Sequence, residues 1–204
     1  MTISITLPPL VPVRFPGDEE DTWVDVIEEL NHNRILFLCD ELETELSNEI
    51  IGLMIYLGTE NTSESLYLFI NSPGGEVING MAIDNIMQFI PSSVATICLG
   101  IAASMASYIL AGGRRKKRVA FPHARIMIHQ PSANFRKEEG EEEGNIDELY
   151  GELAELVTLR ESLARGYSER TKKPLWIISQ DLERDVYMSA TEAKAYGIVD
   201  RVGF

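Results

Sequence analysis

Cysteine is almost absent. The two that occur, Cys39 and Cys98, each sit in an apolar run (35–39 and 95–99). Two thiols make no disulfide framework, so both are read as buried small hydrophobes in a reducing compartment. Positive charge is also scarce. Eighteen Lys and Arg stand against 32 Asp and Glu, a formal net charge of −14. That excludes broad nucleic-acid binding, which needs a positive field against phosphates. Long uncharged apolar runs are missing apart from residues 86–113, and that stretch is interrupted by Pro91, Ser92, Ser93 and Gly100. It reads as a buried strand and helix, not a membrane span. No basic residue precedes Arg14, so neither a secretory signal nor an arginine-rich transit peptide is expected. The pattern Gly-x-x-x-x-Gly-Lys-Ser/Thr does not occur, so ATP binding by that device is not expected. There is no repeat of solenoid period.

What is present suits one globular domain. The chain has 204 residues, 45% hydrophobic and 25% charged, enough for a sizeable core. Pro8, Pro9, Pro12, Pro16 and the acidic run 18–21 mark residues 1–22 as an extended or mobile N-terminal arm outside the core. Residues 23–204 read as the domain.

Within it, helical or strand-like patterns alternate. A short helix is expected over 23–30 and a buried strand over 34–38. Leu42, Leu46, Ile50, Leu53, Met54 and Leu57 give one apolar helical face over 41–57. Further strands are expected over 66–71, 94–99, 119–121 and 125–129, and helices over 77–90 and 104–110. This density of alternation implies an α/β layer structure with largely parallel pairing. From Asn145, apolar residues recur at three and four (Ile146, Leu149, Tyr150, Leu153, Leu156, Val157, Leu163), which predicts a long amphipathic helix to about Arg170. A small domain does not need so long a helix for its own core, so part of its stripe is available to another subunit.

Two charge runs interrupt the pattern. The basic residues 114–118 read as a solvated loop, with contact to an acidic neighbour as the alternative. The acidic run 138–143 has no apolar spacing and reads as a solvated loop. Flexible like charges make a poor metal site, and no metal ligands are assigned.

Of three histidines, His32 and His123 lie in polar turns, whereas His129 ends an apolar strand and precedes Gln130-Pro131. Strand ends are where α/β proteins place reactive groups. Ser104 follows a buried strand, opens a helix and is surrounded by small residues. A helix N-terminus offers free N–H groups where an oxyanion could form, although a serine there is also a common N-cap. Its surroundings are not the Gly-x-Ser-x-Gly elbow of the α/β-hydrolases. The turn Asn71-Ser72-Pro73-Gly74-Gly75 leaves backbone N–H groups accessible, and is also what any tight turn looks like. Asp185 is one carboxylate among many. Taken singly, none of these signals decides anything.

In order along the chain, Asn71-Ser72-Pro73-Gly74-Gly75, Ala102-Ala103-Ser104-Met105, Met127-Ile128-His129-Gln130-Pro131 and Glu183-Arg184-Asp185 closely resemble the signatures of the Clp protease proteolytic subunit. The resemblance runs over about 23–202. It implies a crotonase-like fold of stacked strand–helix units with a protruding handle helix, the handle region being about 132–170. It implies a serine endopeptidase that hydrolyses unfolded proteins to short peptides inside a chamber. In that pattern Ser104 is the nucleophile, His129 the general base and Asp185 the group that orients the imidazole. The N–H groups of Gly75 and Met105 would hold the oxyanion. A strand beginning at Gly75-Glu76-Val77 would pair with an extended peptide, as would the segment after Pro131, so that Gly74, Glu76, Val77, Gln130 and Pro131 would contact substrate.

The resemblance further implies a double heptameric ring of related subunits, an AAA+ Clp ATPase docked on its face, the N-terminal arm at the axial entrance, and no cofactor of the chain's own, ATP being used by the partner. Finer matches, Trp23-Val24-Asp25-Val26, Arg170-Thr171-Lys172-Lys173-Pro174-Leu175-Trp176 and Asp185-Val186-Tyr187-Met188-Ser189-Ala190, resemble the plastid-encoded subfamily. They imply the chloroplast stroma, with a bacterial cytoplasm as the alternative. The chain departs from the pattern at Ala106, where glycine is usual and a methyl could narrow the site, in the basic run 114–118, and at the acidic run 138–143. Three other readings stay open on sequence: a non-catalytic ring subunit, a crotonase-type acyl-CoA enzyme and a pure scaffold.

Overall fold

The computed structural model describes residues 9–14, 17, 20–131 and 146–203, with 146–149 as backbone only. The acidic run 138–143, the segment after Pro131 and residues 1–8 of the arm lie outside the described residues.

The first elements are strands β1 (Leu10–Val13) and β2 (Thr22–Asp25), helix α1 (Val26–His32), strand β3 (Ile35–Leu38), helix α2 (Thr44–Glu60) and strand β4 (Leu66–Ser72). Then come helix α3 (Val77–Phe89), strand β5 (Val94–Ala103), helix α4 (Met105–Gly112) and strands β6 (Arg118–Ala120) and β7 (Arg125–Ile128). The long helix α5 (Ile146–Thr171), helix α6 (Leu175–Asp181), strand β8 (Val186–Ser189), helix α7 (Ala190–Tyr196) and strand β9 (Arg201–Val202) complete the chain. This is the expected mixed α/β architecture.

Strands β3, β4, β5, β6 and β9 lie side by side, all parallel. Burial alternates along β3 and β4, one face of which meets the core, and is continuous over Val94–Cys98 of β5 and along β6. Helices α2, α3 and α4 pack against the sheet. α2 contributes Ile50, Met54 and Leu57 to the core, and α3 contributes Ile83 and Met87. Helix α4 is buried on every side, which is why its sequence carries no polar face.

Strand β5 forks. Its first half, Thr96 to Cys98, pairs with β6, and its last three residues, Ile101 to Ala103, pair with β7. Strand β8 then pairs antiparallel with β7. That fork sets the position of everything described below.

Several expectations change. Residues 23–25 are strand, not helix: Trp23, Val24 and Asp25 pair with Pro12, Val11 and Leu10. The Asp25 side chain then accepts from the Ile27 N–H and starts α1. The arm therefore reaches the body through a hairpin. Cys39 is exposed, because it lies just past the end of β3, whereas Cys98 is buried and its thiol is pushed up to about 12 by that burial. Arg114 to Lys117 are exposed, but Arg118 is only 4% exposed and is paired with Asp200. Contact with an acidic neighbour therefore holds for that residue. Ala106 lies fully buried in the core, so its methyl is spent on packing.

Candidate active site

The sheet register brings three distant residues to one edge. Ala103 of β5 is opposite Met127 of β7, and Ile128 of β7 is opposite Val186 of β8. Ser104 lies one residue past β5, His129 one past β7, and Asp185 one before β8. Because β8 runs antiparallel to β7, its beginning lies beside the end of β7.

The side chains meet there. Ser104 Oγ is 2.8 Å from His129 Nε2, and His129 Nδ1 is 3.2 Å from Asp185 Oδ1. An ionised carboxylate only accepts, so Nδ1–H donates to Asp185. Nε2 of the neutral ring is then the acceptor for the Ser104 hydroxyl. This is the tautomer a general base requires.

Ser104 has a conformation that side chains rarely adopt, φ 54° and ψ −126°, worth about 1–3 kcal/mol of strain. It stands in the N-cap position of α4 but makes no capping hydrogen bond with its hydroxyl. That separates it from an ordinary cap serine: the sharp turn from β5 into α4 aims the hydroxyl at the imidazole instead. The Ser104 N–H donates to the Met127 carbonyl at 2.9 Å, which ties the turn to β7.

The glycine turn after β4 lies against it. A Cβ on Gly74 (φ +97°) would stand 2.7 Å from Ser104 Cβ and 3.1 Å from the Met105 nitrogen. On its other side the turn is pinned to Leu42, whose N–H donates to the Gly74 carbonyl and whose carbonyl accepts from the Glu76 N–H. A Cβ on Gly75 (φ +147°) would fall 2.6 Å from the Leu42 nitrogen. Only glycine fits at both positions. Among the described residues the N–H groups of Gly75 and Met105 have no hydrogen-bond partner. The Met105 donor is one of the orphans any helix start leaves.

Of the expected peptide-binding residues, some change role. Gly75, Glu76 and Val77 do not begin a strand: Gly75 makes a single parallel bridge to Leu42, Glu76 is the N-cap of α3, and Val77 is its first residue. The N–H of Glu76 is taken by Leu42, and that of Gln130 donates to the Leu182 carbonyl at 2.7 Å. Neither N–H is free for a peptide. Val77 and Pro131 do reach the site, in the wall of a depression beside Ser104 and His129 whose other walls are Met105, Tyr108, Leu163 and Tyr167. The last three were missed. Tyr108 carried no signal beyond an apolar helix, and Leu163 and Tyr167 belong to the long helix, whose apolar spacing reports a buried face without saying what it faces.

Comparison with known proteins shows the family. The family model described as Clp protease matches residues 17–204. The chain is 57% identical over 194 residues to an ATP-dependent Clp protease proteolytic subunit of Daucus carota, covering 95% of each. It is 57% identical to one of Gossypium hirsutum and 56% to one of Nicotiana tabacum, covering 95% of this chain and 96% of each relative. The chain belongs to the Clp protease family. As a member of it, the chain carries the family's proteolytic role, and the α/β architecture agrees with that membership. Among the described residues, no cluster of His, Cys, Asp and Glu could hold a metal, and no helix is long and apolar enough to cross a membrane.

Proposed function

We propose that this chain is a serine endopeptidase subunit of an ATP-dependent Clp protease, with Ser104, His129 and Asp185 as its catalytic residues. The observation that carries the reading is the unbroken hydrogen-bond chain from Asp185 through His129 to a serine hydroxyl that caps nothing. Ser104 Oγ attacks the scissile carbonyl carbon while His129 Nε2 takes its proton. The carbonyl oxygen becomes an oxyanion held by the Gly75 and Met105 N–H groups. Collapse expels the amine, which receives the proton from His129. Water, deprotonated by the same nitrogen, then attacks the acyl-enzyme; the bond from Ser104 Oγ to the acyl carbon breaks, His129 returns the proton to Ser104 Oγ, and the second product leaves. Asp185 holds the ring in its tautomer and offsets the positive charge the ring gains. The apolar depression beside Ser104 receives the substrate side chain next to the scissile bond.

Family membership implies oligomeric assembly and a Clp ATPase partner. The finer form of that reading is a double heptameric ring with related subunits, fed with unfolded protein by an AAA+ ATPase that supplies the ATP hydrolysis. Exposed apolar residues on the long helix, Tyr150, Leu153 and Val157, support its role as a handle between rings. The plant origin of the relatives supports the plastid stroma. Labelling with a fluorophosphonate tests the catalytic reading. Stoichiometric modification at Ser104, lost in Ser104→Ala, is expected. An assembled ring that is never labelled would make the chain a non-catalytic subunit.

A further inference from the structure

The C-terminal half of α5 is fastened to the floor of the site. Leu163, Ala164 and Tyr167 are buried against the core. Tyr167 meets Tyr108 of α4 edge-on, ring centroids 5.2 Å apart. One turn further on, the Arg170 guanidinium lies 4.1 Å from the same Tyr108 ring centroid and pairs with the buried Asp84 of α3. These contacts hold Tyr167 in place.

Its hydroxyl is not idle. Tyr167 Oη is 2.7 Å from Ser107 Oγ, and Ser107 Oγ is 2.7 Å from the carbonyl oxygen of Ser104. The carbonyl can only accept, so the Ser107 hydroxyl gives it its one proton. Ser107 Oγ must then accept from Tyr167. The direction of the relay is therefore set: Tyr167 to Ser107 to the backbone of Ser104, the residue whose φ is 54°. Burial, chiefly, raises the Tyr167 pKa above the ordinary phenol value, so the donor keeps its proton.

We propose that Tyr167 is a positioning residue: through Ser107 it holds the strained backbone of Ser104 in the orientation that aims the hydroxyl at His129, so the seating of α5 sets the reactivity of the nucleophile. The inference rests on Ser104 being that nucleophile.

The test uses the full chain in its assembled ring, the fluorophosphonate labelling rate of Ser104, and kcat and KM on a short fluorogenic peptide. Tyr167→Phe removes one hydroxyl and keeps the ring. Labelling and kcat are expected to fall about tenfold, the weight of one buried hydrogen bond, with KM within about twofold. Ser107→Ala is expected to lose at least as much, and the double variant no more than Ser107→Ala alone, because the phenol acts only through Ser107. Labelling of Tyr167→Phe at the wild-type rate overturns the proposal. So does a raised KM with kcat kept, which would make Tyr167 a pocket wall only, and so do additive losses. If Tyr167→Phe does not assemble, Ser107→Ala carries the test alone, and wild-type labelling there overturns it equally. Absence of labelling in the unaltered ring is a different result: it removes the nucleophile itself.

Discussion

Strand β5 feeds two regions that treat a carboxylate in opposite ways. On the β6–β9 side, Asp200 receives the Arg118 Nε–H at 3.0 Å, an Nη2–H at 2.7 Å and the Arg118 backbone N–H at 3.1 Å. Burial alone would raise its pKa, but the Arg118 hydrogen bonds outweigh that and hold it below the ordinary carboxylate value. On the β7–β8 side, Asp185 is 58% exposed and meets one imidazole N–H at 3.2 Å. The first carboxylate has its partners supplied by a buried cation and clamps the sheet. The second is left with capacity in hand, which the His129 ring can draw on when it gains a proton in the proposed mechanism. Both sides carry a side chain at positive φ, Lys116 at 72° in the turn into β6 and Ser104 at 54° in the turn out of β5, but only Ser104 aims a hydroxyl at an imidazole.

The comparison can be broken most severely at the nucleophile. Ser104→Ala is expected to lower kcat on the order of 10⁶-fold in rings whose only Ser–His–Asp set comes from this chain, since the triad acts as a unit. Peptide turnover measures it, and unchanged cleavage rejects the assignment. Asp185→Asn keeps the shape but reverses the imidazole tautomer. A loss on the order of 10⁴-fold in kcat is expected, with thermal stability unchanged because the carboxylate is exposed.

Arg118→Ala should show the converse pattern. It strands Asp200 without its cation and is expected to cost about 3–5 kcal/mol in urea denaturation, with kcat of the folded ring retained. A loss under about 1 kcal/mol would put this pair in the class of surface ion pairs and erase the contrast.

The smallest effect is a pH response. Burial foremost raises the pKa values of Tyr108, Tyr167 and Tyr196, helped at Tyr196 by Asp181. A raised folded pKa means the folded state holds protons that the unfolded chain has lost. Stability is therefore complete below the ordinary phenol value and should decline as pH rises past about 10. At the acid end the depressed Asp200 has the opposite sign. Its contribution is present above the ordinary carboxylate value of about 3.9 and is lost as pH falls through its lower folded pKa. Thermal melts across both ranges would check the two signs.

Much of this was legible in the linear order of residues. Parallel buried strands, the amphipathic α2 and the long α5 are written in hydrophobic period, because burial on one face or two imposes a spacing. The three side chains that meet at the strand ends, Ser104, His129 and Asp185, were singled out by four motifs in sequence, each weak alone. Spacing could not say what would stand next to what. Trp23 to Asp25 look like a helix start until β1 pairs with them. Gly75 to Val77 look like a strand until Leu42 takes one edge and α3 begins. Cys39 looks buried until the strand that carries it ends one residue early. Arg118 is one basic residue in a run until Asp200, far away in sequence, is folded against it.

Composition and motif order alone determined the family, the α/β class and the choice of the three side chains proposed to react, since those depend on residue types and on local periodicity. Tertiary structure alone decided the tautomer of His129, the strained backbone of Ser104, and the arrival of Tyr167 and Leu163 from the long helix. Each of these depends on a contact between segments far apart in the chain. Such a contact leaves no local trace, because no single segment contains both of its partners.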